Sequence, residues 1–436
     1  MSTTLLVAVA LSPLLVAYVV ACIRDPLRYA MPPYAVLIPF SSLISIGPGA
    51  FGSVSSLLGV LLGLGLLVQL VTTRRGSAHI SLAVPVWLAF LALCGFSLFW
   101  SVSPTDTTDG FAVLASLVVL FVALVLTRFD QTTLRRFENA ILLGGVLVVG
   151  YGLAQLLFLG GLPTGEAGGA RFGEDLLGAN NQAASLLLPT AIAAGRTVAG
   201  AVTGRLVYGA VTLGLLFGVV MTGSRGGLLA VIVVVGAVVL FGVAPRASKI
   251  ALMATATVLL TFVIVVNPGG IGERQLGKES TSGRSEIWAV GVYACRHYCL
   301  TGAGWGGFPT VYAEERASVA EAKVLRRGTA FEPHNVYLLA LIEAGVLGLV
   351  LVLVGLGIAV VTALRLPPLM RGPPVGAILG TLVGSFFLSN LEYKFFWAVL
   401  IYVAVSGSVA AAARAGNVPC APSQDRTLVA AGQDGR

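Results

Sequence analysis

Residues 334–362 read HNVYLLALIEAGVLGLVLVLVGLGIAVVT. After His334, the run carries one charged side chain, Glu343. A helix rises about 1.5 Å per residue, so about 20 apolar residues cross a hydrocarbon core about 30 Å thick. The run therefore predicts a membrane-spanning helix. Because lipid tolerates neither open sheet edges nor unpaired backbone, and strand-like alternation is absent, the remaining spans are predicted to be helices too.

The composition extends this prediction to the whole chain. Mean hydropathy is +0.93, 57% of the residues are hydrophobic and 11% are charged, which excludes an ordinary soluble domain. The second of the apolar runs is short and ends at Gly47-Pro48-Gly49, so thirteen spans, or twelve spans and a re-entrant piece, fit equally well. The runs lie at 4–21, 34–47, 54–72, 82–99, 110–127, 139–160, 179–195, 205–222, 225–243, 248–266, 334–362, 375–389 and 394–413.

These runs predict an all-α integral membrane protein, a polytopic bundle of 12–13 transmembrane helices with one long outer-face loop. The 54 glycines suit close helix–helix contacts, for example at Gly59 and Gly63. The chain divides into N-terminal membrane helices, central membrane helices, the long loop, C-terminal membrane helices and a polar, disordered tail. Their bounds are 1–100, 101–266, 267–333, 334–413 and 414–436.

The distribution of basic residues predicts the orientation. Alternate short loops carry the arginines, whereas 48–53 has none and 100–109 carries two aspartates, so the basic side is cytoplasmic. The segment 267–333 then lies outside. It carries basic residues, but the preference of basic residues for the cytoplasmic side applies to short loops, and this segment is long. The C-terminus is predicted to lie in the cytoplasm. The formal charge of +8 reflects this topology and not a nucleic-acid surface. No cleavable signal peptide is recognised in the first segment.

His334 is the candidate general base. It is one of three histidines, and it lies where the polar segment 267–333 gives way to the apolar run. Pro333 suits the first turn of a helix, which predicts His334 on that turn, at the membrane–water boundary. An imidazole there can exchange a proton near neutral pH. The competing interpretation is a histidine that caps the helix by bonding a loop carbonyl.

Arg225 is the costliest polar residue, because it interrupts the apolar stretch 205–243. An arginine at that depth faces a cavity, a partner or an anionic ligand, or it snorkels to the interface. Ser224 and Arg225 are predicted to begin a helix, whose free N–H groups and dipole favour an anion.

Arg284 and Arg171, with Asn180, are the other polar candidates on the outer face. Each taken alone is typical of an exposed loop residue. Together with Arg225 and a candidate base, they predict a diphosphate site, because guanidinium groups bind phosphate oxygens in bidentate fashion.

The five cysteines are too few and too scattered for a disulfide framework. Cys295 and Cys299 flank His297 and could form a metal site or a local bridge. Their spacing supplies three ligands at most, whereas a structural zinc site needs four. We therefore favour an ordinary amphipathic helix in the outer segment over either alternative.

Four elements, in this order, resemble the O-antigen ligase superfamily, which holds O-antigen ligases, O-antigen polymerases and bacterial protein O-oligosaccharyltransferases. The family's motif nearest the C-terminus consists of a histidine, a polar residue, nine further residues and then Gly-x-x-Gly. The resemblance covers about 100–390, and the first hundred residues match as membrane spans alone. The elements are Ser224-Arg225-Gly226, Gly283-Arg284 with Trp288, the stretch from Gly302 to Gly307, and His334-Asn335 with Gly345-Val346-Leu347-Gly348; the segment from Arg171 to Asn180 is also similar.

The resemblance implies a GT-C-like membrane glycosyltransferase of the cytoplasmic membrane, working on its outer face. It would pass a glycan from undecaprenyl diphosphate to a hydroxyl of a lipid, glycan or protein acceptor, with inversion and without metal, ATP or another cofactor. Membrane lipid is a further implied partner, and nucleic acid is not. The implied catalytic residues are His334 as base with Arg225 and Arg284 on the diphosphate, and the implied substrate contacts are Arg171, Asn180, Ser224 and Asn335.

Two alternatives of a different class stay open. A multi-span lipid or glycan transporter would suit the span count, although transporters commonly show repeated halves with broken helices near midplane. No such repeat is visible, and the polar residues gather at one face, which favours an enzyme. A scaffold would be insensitive to His334. Ligase and polymerase share their donor and cannot be separated from the sequence.

Overall fold

The structure is a computed structural model that describes residues 3–43, 52–73, 81–164, 170–266, 284–320, 322 and 331–416. Within these ranges its regular elements are all helices; Thr164 and Ala170 form an isolated bridge, and there is no strand. The α-helices, numbered in chain order within the described residues, are α1 (Thr3–Arg24), α2 (Pro26–Tyr29), α3 (Met31–Val36), α4 (Val54–Thr73), α5 (Ala83–Phe96), α6 (Pro104–Leu126), α7 (Gln131–Phe158), α8 (Ala179–Ser185), α9 (Leu187–Ala199), α10 (Val202–Met221), α11 (Arg225–Phe241), α12 (Arg246–Val266), α13 (Arg284–Tyr298), α14 (Phe308–Glu315), α15 (Val336–Leu364), α16 (Pro368–Gly384) and α17 (Lys394–Arg414).

The predicted all-α membrane architecture is confirmed. Six helices in the described part are long and apolar enough to cross a bilayer, and three shorter apolar helices accompany them. The remaining predicted spans include helices that are short or broken. The six are Val54–Thr72, Pro104–Leu126, Gln131–Phe158, Val202–Met221, Val336–Leu364 and Lys394–Arg414.

Prolines break two of the predicted spans. The predicted segment 179–195 is not one helix but two, α8 and α9. Pro189 has no N–H to donate to the Ser185 carbonyl, so the helical ladder is interrupted at this point. The predicted segment 34–47 contains the end of α3 and a 3₁₀ turn at Ile38–Phe40, and its last residues lie outside the described ranges.

Small residues let the helices approach closely. On α16, a Cβ added to Gly380 would meet the Val234 side chain of α11 far inside contact distance, and one added to Gly376 would lie 2.8 Å from Val238. This packing is typical of helices in lipid, where close backbone approach replaces the hydrophobic effect. The predicted contact at Gly59 is present, since its Cβ position lies 3.1 Å from the Tyr34 ring.

The predicted close contact at Gly63 is wrong. A Cβ added to Gly63 would have no atom within 4 Å, and the residue lines a cavity. The sequence spacing places both glycines on one face of α4, but it does not show how far α6 stands from that face.

An aromatic cluster holds α5 against α17 and against the glycine-rich segment that follows α13. Trp87 meets Trp397 edge-on at a centroid distance of 5.1 Å, and Phe90 meets Trp305 at 5.5 Å. All of these rings are buried. Edge-to-face pairs of this kind each contribute about 0.5–1.5 kcal/mol beyond the area that they bury. The cluster thereby anchors the residues that support the candidate site.

Candidate active site at the helix ends

The start of α11 is built as the sequence predicts. Ser224 is the N-cap, and its Oγ accepts a hydrogen bond from Gly227 N at 3.2 Å. Gly227 lies so close to Ala183 of α8 that a side chain there would clash, and Gly226 packs equally tightly on Phe387. Arg225 therefore begins the helix at a point where three parts of the chain converge.

Arg171 is locked to the turn that precedes α11. Its Nε donates to the Thr222 carbonyl at 2.8 Å, and its Nη2 donates to Asn180 Oδ1 at 3.2 Å. Glu174 completes the set through a salt bridge of 3.2 Å to Nη1. The Arg171 side chain is 13% exposed, so its orientation is held by these partners and not by solvent. Arg171 and Asn180, which the sequence pairs by motif alone, are in direct contact.

Arg284 lies in the same neighbourhood. Burial lowers the pKa of its guanidinium, and the positive charges of Arg171 and Arg225 lower that pKa further. Like charges perturb a pKa in this way when they are close together in a region of reduced dielectric. Arg171, Arg225 and Arg284 are distant in sequence but close enough in space for their charges to act on one another, and we call this group of residues the arginine pocket.

His334 lies beside this pocket, but not where the sequence analysis places it. Helix α15 begins at Val336, so His334 precedes the helix and is not part of its first turn. Asn335 is the N-cap and accepts hydrogen bonds from Tyr337 N at 2.9 Å and Leu338 N at 3.0 Å. Among the described residues, His334 is the one non-glycine with positive φ, at 46°. The cap needs an extended Asn335, so the chain turns into the helix one residue earlier, at His334.

The left-handed backbone at His334 is informative because few non-glycine residues adopt it, although His, Asn and Asp do so more often than the others. Such strain concentrates at functional positions and persists where surrounding contacts impose it. Here the contacts are visible on both sides. Trp288 Nε1 donates to the Pro333 carbonyl at 2.8 Å, and Val336 N donates to the Ser385 carbonyl at 2.9 Å.

The electrostatic environment keeps the His334 imidazole neutral. Burial lowers its pKa from 6.5 to about 4, and the nearby Arg284 charge contributes in the same direction. Both causes disfavour the imidazolium form. At neutral pH the ring therefore has one nitrogen free to accept a proton.

Helix α13 ties Arg284 to His334. Arg284 and Trp288 are four residues apart and so share one face of the helix. The Trp288 indole bonds the carbonyl of Pro333, and Gly291 lets α13 approach Leu338 of α15. The Gly-Arg and Trp of the sequence motif thus have separate tasks, since the arginine lies in the pocket and the tryptophan positions the histidine segment.

Trp288→Phe is expected to lower kcat about 3- to 10-fold while leaving the donor KM within two-fold, because it removes one net hydrogen bond of about 0.5–1.5 kcal/mol and keeps the ring. The measurement is steady-state glycan transfer by the purified protein. Trp100→Phe, at an exposed interface position, is the matched control and should retain wild-type kcat. A Trp288→Phe protein with unchanged kcat, or with donor KM raised instead, would remove the positioning role.

The Gly-x-x-Gly end of the histidine motif is also structural. Gly345 has φ 70° and kinks α15, and Val346 N donates to the Cys299 carbonyl at 2.7 Å. The segment after α13 docks on this kink. Glu343 accepts hydrogen bonds from Gly306 N at 2.9 Å and Phe308 N at 3.0 Å, so its carboxyl organises that segment. Glu343 therefore has a structural role, because it holds the segment after α13 against α15.

The cysteine prediction needs correction. Helix α13 is present, but Cys295 and Cys299 are joined by a disulfide at its C-terminal end. The sequence analysis favours a plain helix because spacing alone does not show how the last turn ends. The helix ends at Tyr298, and the Cα atoms are 4.5 Å apart, within the range that a bridge requires. No cluster of three His, Cys, Asp or Glu suited to a metal occurs in the described ranges.

Two charged residues near the site were missed by sequence reasoning. Glu392 lies beside the Trp305 indole and Gly110, and burial together with the Glu332 charge raises its pKa to about 7. Lys394 begins α17 and contacts a serine cluster on the segment that enters α4. The signal was available, since both interrupt an apolar stretch near a predicted span end, where charges are costly.

Comparison with known proteins identifies part of the chain. Residues 210–353, about a third of the sequence, match the family model described as O-Antigen ligase. The match contains Ser224, Arg225, Arg284 and the histidine motif, and it begins after Arg171 and Asn180. No match was found among curated proteins. Residues 210–353 of this multi-pass membrane protein therefore belong to the O-antigen ligase family, whose members are membrane glycosyltransferases of ligase or polymerase type acting on lipid-linked glycans.

Proposed function

We propose that the protein transfers a glycan en bloc from undecaprenyl diphosphate to an acceptor hydroxyl, as an O-antigen ligase. The observation that carries the proposal is the meeting of Arg171, Arg225 and Arg284 with a neutral His334 at one end of the helix bundle. A diphosphate needs several cations, and acyl- or glycosyl-type transfer to a hydroxyl needs a base.

In the proposed reaction, the acceptor oxygen attacks the anomeric carbon of the donor glycan. The bond from that carbon to the diphosphate oxygen breaks, and the acceptor proton passes to the His334 imidazole. The electron pair leaves with undecaprenyl diphosphate, whose developing charge is stabilised by Arg225 and Arg284; such stabilisation is commonly a major catalytic contribution. Attack opposite to the leaving group inverts the anomeric centre. No step needs a metal or a nucleotide.

Arg171 and Asn180 are proposed to complete the diphosphate pocket as a preformed pair. Ser224 and Asn335 are proposed to contact the substrate through side-chain donors that do not take part in their helix-capping hydrogen bonds. The Ser224 hydroxyl accepts in its cap and can still donate its own proton, and the Asn335 cap uses Oδ1 rather than the side-chain amide N–H groups.

The proposed location is the outer face of the cytoplasmic membrane, with the C-terminus inside. Two observations support it: the basic short loops on the opposite side, and the Cys295–Cys299 disulfide, since disulfides persist in oxidising compartments. The gathering of the polar residues at the helix ends also favours an enzyme over a transporter with a midplane site.

The test is the profile of surface glycans and lipid-linked intermediates after deletion of the gene and complementation. Long glycans stranded on the lipid diphosphate support a ligase. Single repeats on the final acceptor would mean that the protein is a polymerase using the same donor. An unchanged profile would contradict both and favour a transporter.

The pH dependence of kcat/KM for the donor is expected to be flat from about pH 8 to about 5 and to fall as the pH drops through about 4. The sign follows from the base, because the neutral imidazole is the active form and its pKa in the free enzyme is lowered to about 4. A break near 6.5 would contradict a buried His334 beside Arg284. Glu392→Gln serves as control, since a break near 7 that disappears in this variant would assign the base role to Glu392 instead.

A further inference from the structure

A cavity of about 680 Å³ lies between α4 and α6, and none of the three arginines lines it. Small residues create it, with Gly63 on α4 and Ala112 and Ala115 on α6. Leu64 and Leu67 line the same face and are 52% and 45% exposed, so the cavity is a groove that opens to the side of the bundle. Along α4 it extends from Ser53 to Leu67, about 20 Å at 1.5 Å per residue, which is deeper than half of a hydrocarbon core.

The groove has one polar end. Lys394 Nζ donates to the hydroxyls of Ser55 at 2.7 Å, Ser56 at 2.9 Å and Ser53 at 3.2 Å. These partners are neutral, and no carboxylate in the described part of the chain lies within salt-bridge distance of this ammonium group. A charge at this depth is costly and is kept where it meets an anion or a functional ligand. The three hydroxyls also hydrogen-bond one another and Ser41. A serine hydroxyl can rotate about its C–O bond, so each can turn its O–H from these neighbours toward a phosphate oxygen when an anion binds.

Glu392 also lines the groove, and its charge would oppose an anion. Its Oε1, however, points toward Gly110 and the Trp305 ring, since it lies 3.2 Å from the place that a Cβ would take on Gly110. It does not pair with Lys394. Burial and the Glu332 charge raise the pKa of this carboxyl to about 7, so part of it is uncharged at neutral pH and its repulsion of an anion is weaker than that of an ordinary glutamate.

The polar end lies next to the transfer site. Leu177 lines the groove, and its carbonyl accepts from Asn181 Nδ2 at 3.2 Å. The preceding residue, Asn180, holds Arg171. A lipid seated with its headgroup at Lys394 would therefore present that headgroup beside the diphosphate pocket.

We propose that this groove binds the lipid chain of a phosphate-bearing amphiphile, that the Lys394–serine cluster holds its phosphate, and that this amphiphile is the acceptor. The acceptor assignment rests on the proposed function, because the arginine pocket already supplies the cations for the donor diphosphate. A compact ammonium among hydroxyls suits a phosphate as a point charge, whereas the arginines suit bidentate binding.

The test is photolabelling of the full-length protein by phosphatidic acid carrying a photoreactive group near the end of one acyl chain. Phosphatidylcholine with the same chains is the comparison lipid. Labelled peptides are mapped by mass spectrometry. We expect labelling of 54–73 and 104–126, and we expect Lys394→Met to reduce the preference for phosphatidic acid about five-fold, the factor for losing one cation near a lipid phosphate.

Gly63→Leu provides a second variant that does not depend on Lys394. Because a Cβ at Gly63 meets no atom within 4 Å, the added side chain fills the groove without disturbing the fold. Labelling by both lipids should be lost. Gly150→Leu is the matched control, since Gly150 of α7 is equally open and does not line the groove. Equal labelling by the two lipids, or labelling that survives both Lys394→Met and Gly63→Leu, overturns the proposal.

Competition by undecaprenyl diphosphate separates acceptor from donor. If undecaprenyl diphosphate displaces the probe from the wild type but not from Arg225→Gln, the groove holds the tail of the donor. That result would overturn the acceptor assignment. Displacement that is the same in both proteins, or absent in both, supports it. Labelling needs no turnover, so a failed transfer assay would reject the proposed function and leave the lipid site standing.

Discussion

His334→Asn is expected to reduce glycan transfer by about 10²–10⁴-fold, the usual contribution of a general base. Asparagine is the informative replacement because it tolerates the left-handed backbone at this position and cannot take up the acceptor proton. The helix start should survive, since Asn335 and not His334 supplies the cap. The protein should therefore reach the membrane at the wild-type level with its fold intact.

The measurement is the transfer rate with saturating donor, together with the amount of folded protein recovered from membranes. His334→Ala should show the same loss in rate with slightly lower stability, because alanine is strained at φ 46°. His297→Ala is the control, since this histidine is 56% exposed beside Glu315, away from the pocket. Transfer by His334→Asn at half of the wild-type rate or more would remove the base assignment.

Arg284→Gln should lower transfer by about 10²–10³-fold, as expected when one preorganised group that stabilises developing charge is removed. A second effect distinguishes this variant from simple damage. Because the Arg284 charge helps to lower the pKa of His334, its removal should shift the acidic limb of kcat/KM upward from about pH 4. Residual activity is sufficient to record this shift.

Arg296→Gln is the matched control for Arg284→Gln. It lies on the same helix, α13, and its side chain is 46% exposed and pairs with Glu315. Solvent-exposed pairs of this kind contribute about 0–1 kcal/mol, so transfer and its pH profile should be unchanged. If Arg284→Gln lowered the rate without moving the acidic limb, Arg284 would not act on His334 electrostatically.

Local chemistry in the sequence predicted the long helices and the start of α11. Apolar runs predicted the long helices because lipid leaves the backbone no partner but itself. Ser224 was predicted to start α11, since a hydroxyl before a helix satisfies a free N–H group. The arginines and His334 were also identified from residue type and position. Each of these inferences depends on a few neighbouring residues, and a single sequence contains them.

Contacts between residues that are distant in sequence were decided by the tertiary structure. The left-handed backbone at His334 follows from Trp288 holding Pro333 and from Ser385 holding Val336, which are partners far away in the chain. The same is true of the arginine pocket, in which like charges come together because the first residues of α11 and α13 lie near each other and near Arg171. Gly63 was misassigned because helical periodicity predicts which face a residue occupies and not whether a neighbour fills it. Spacing along the chain determines which face of a helix a residue occupies. The packing of helices that are distant in sequence determines what that face contacts.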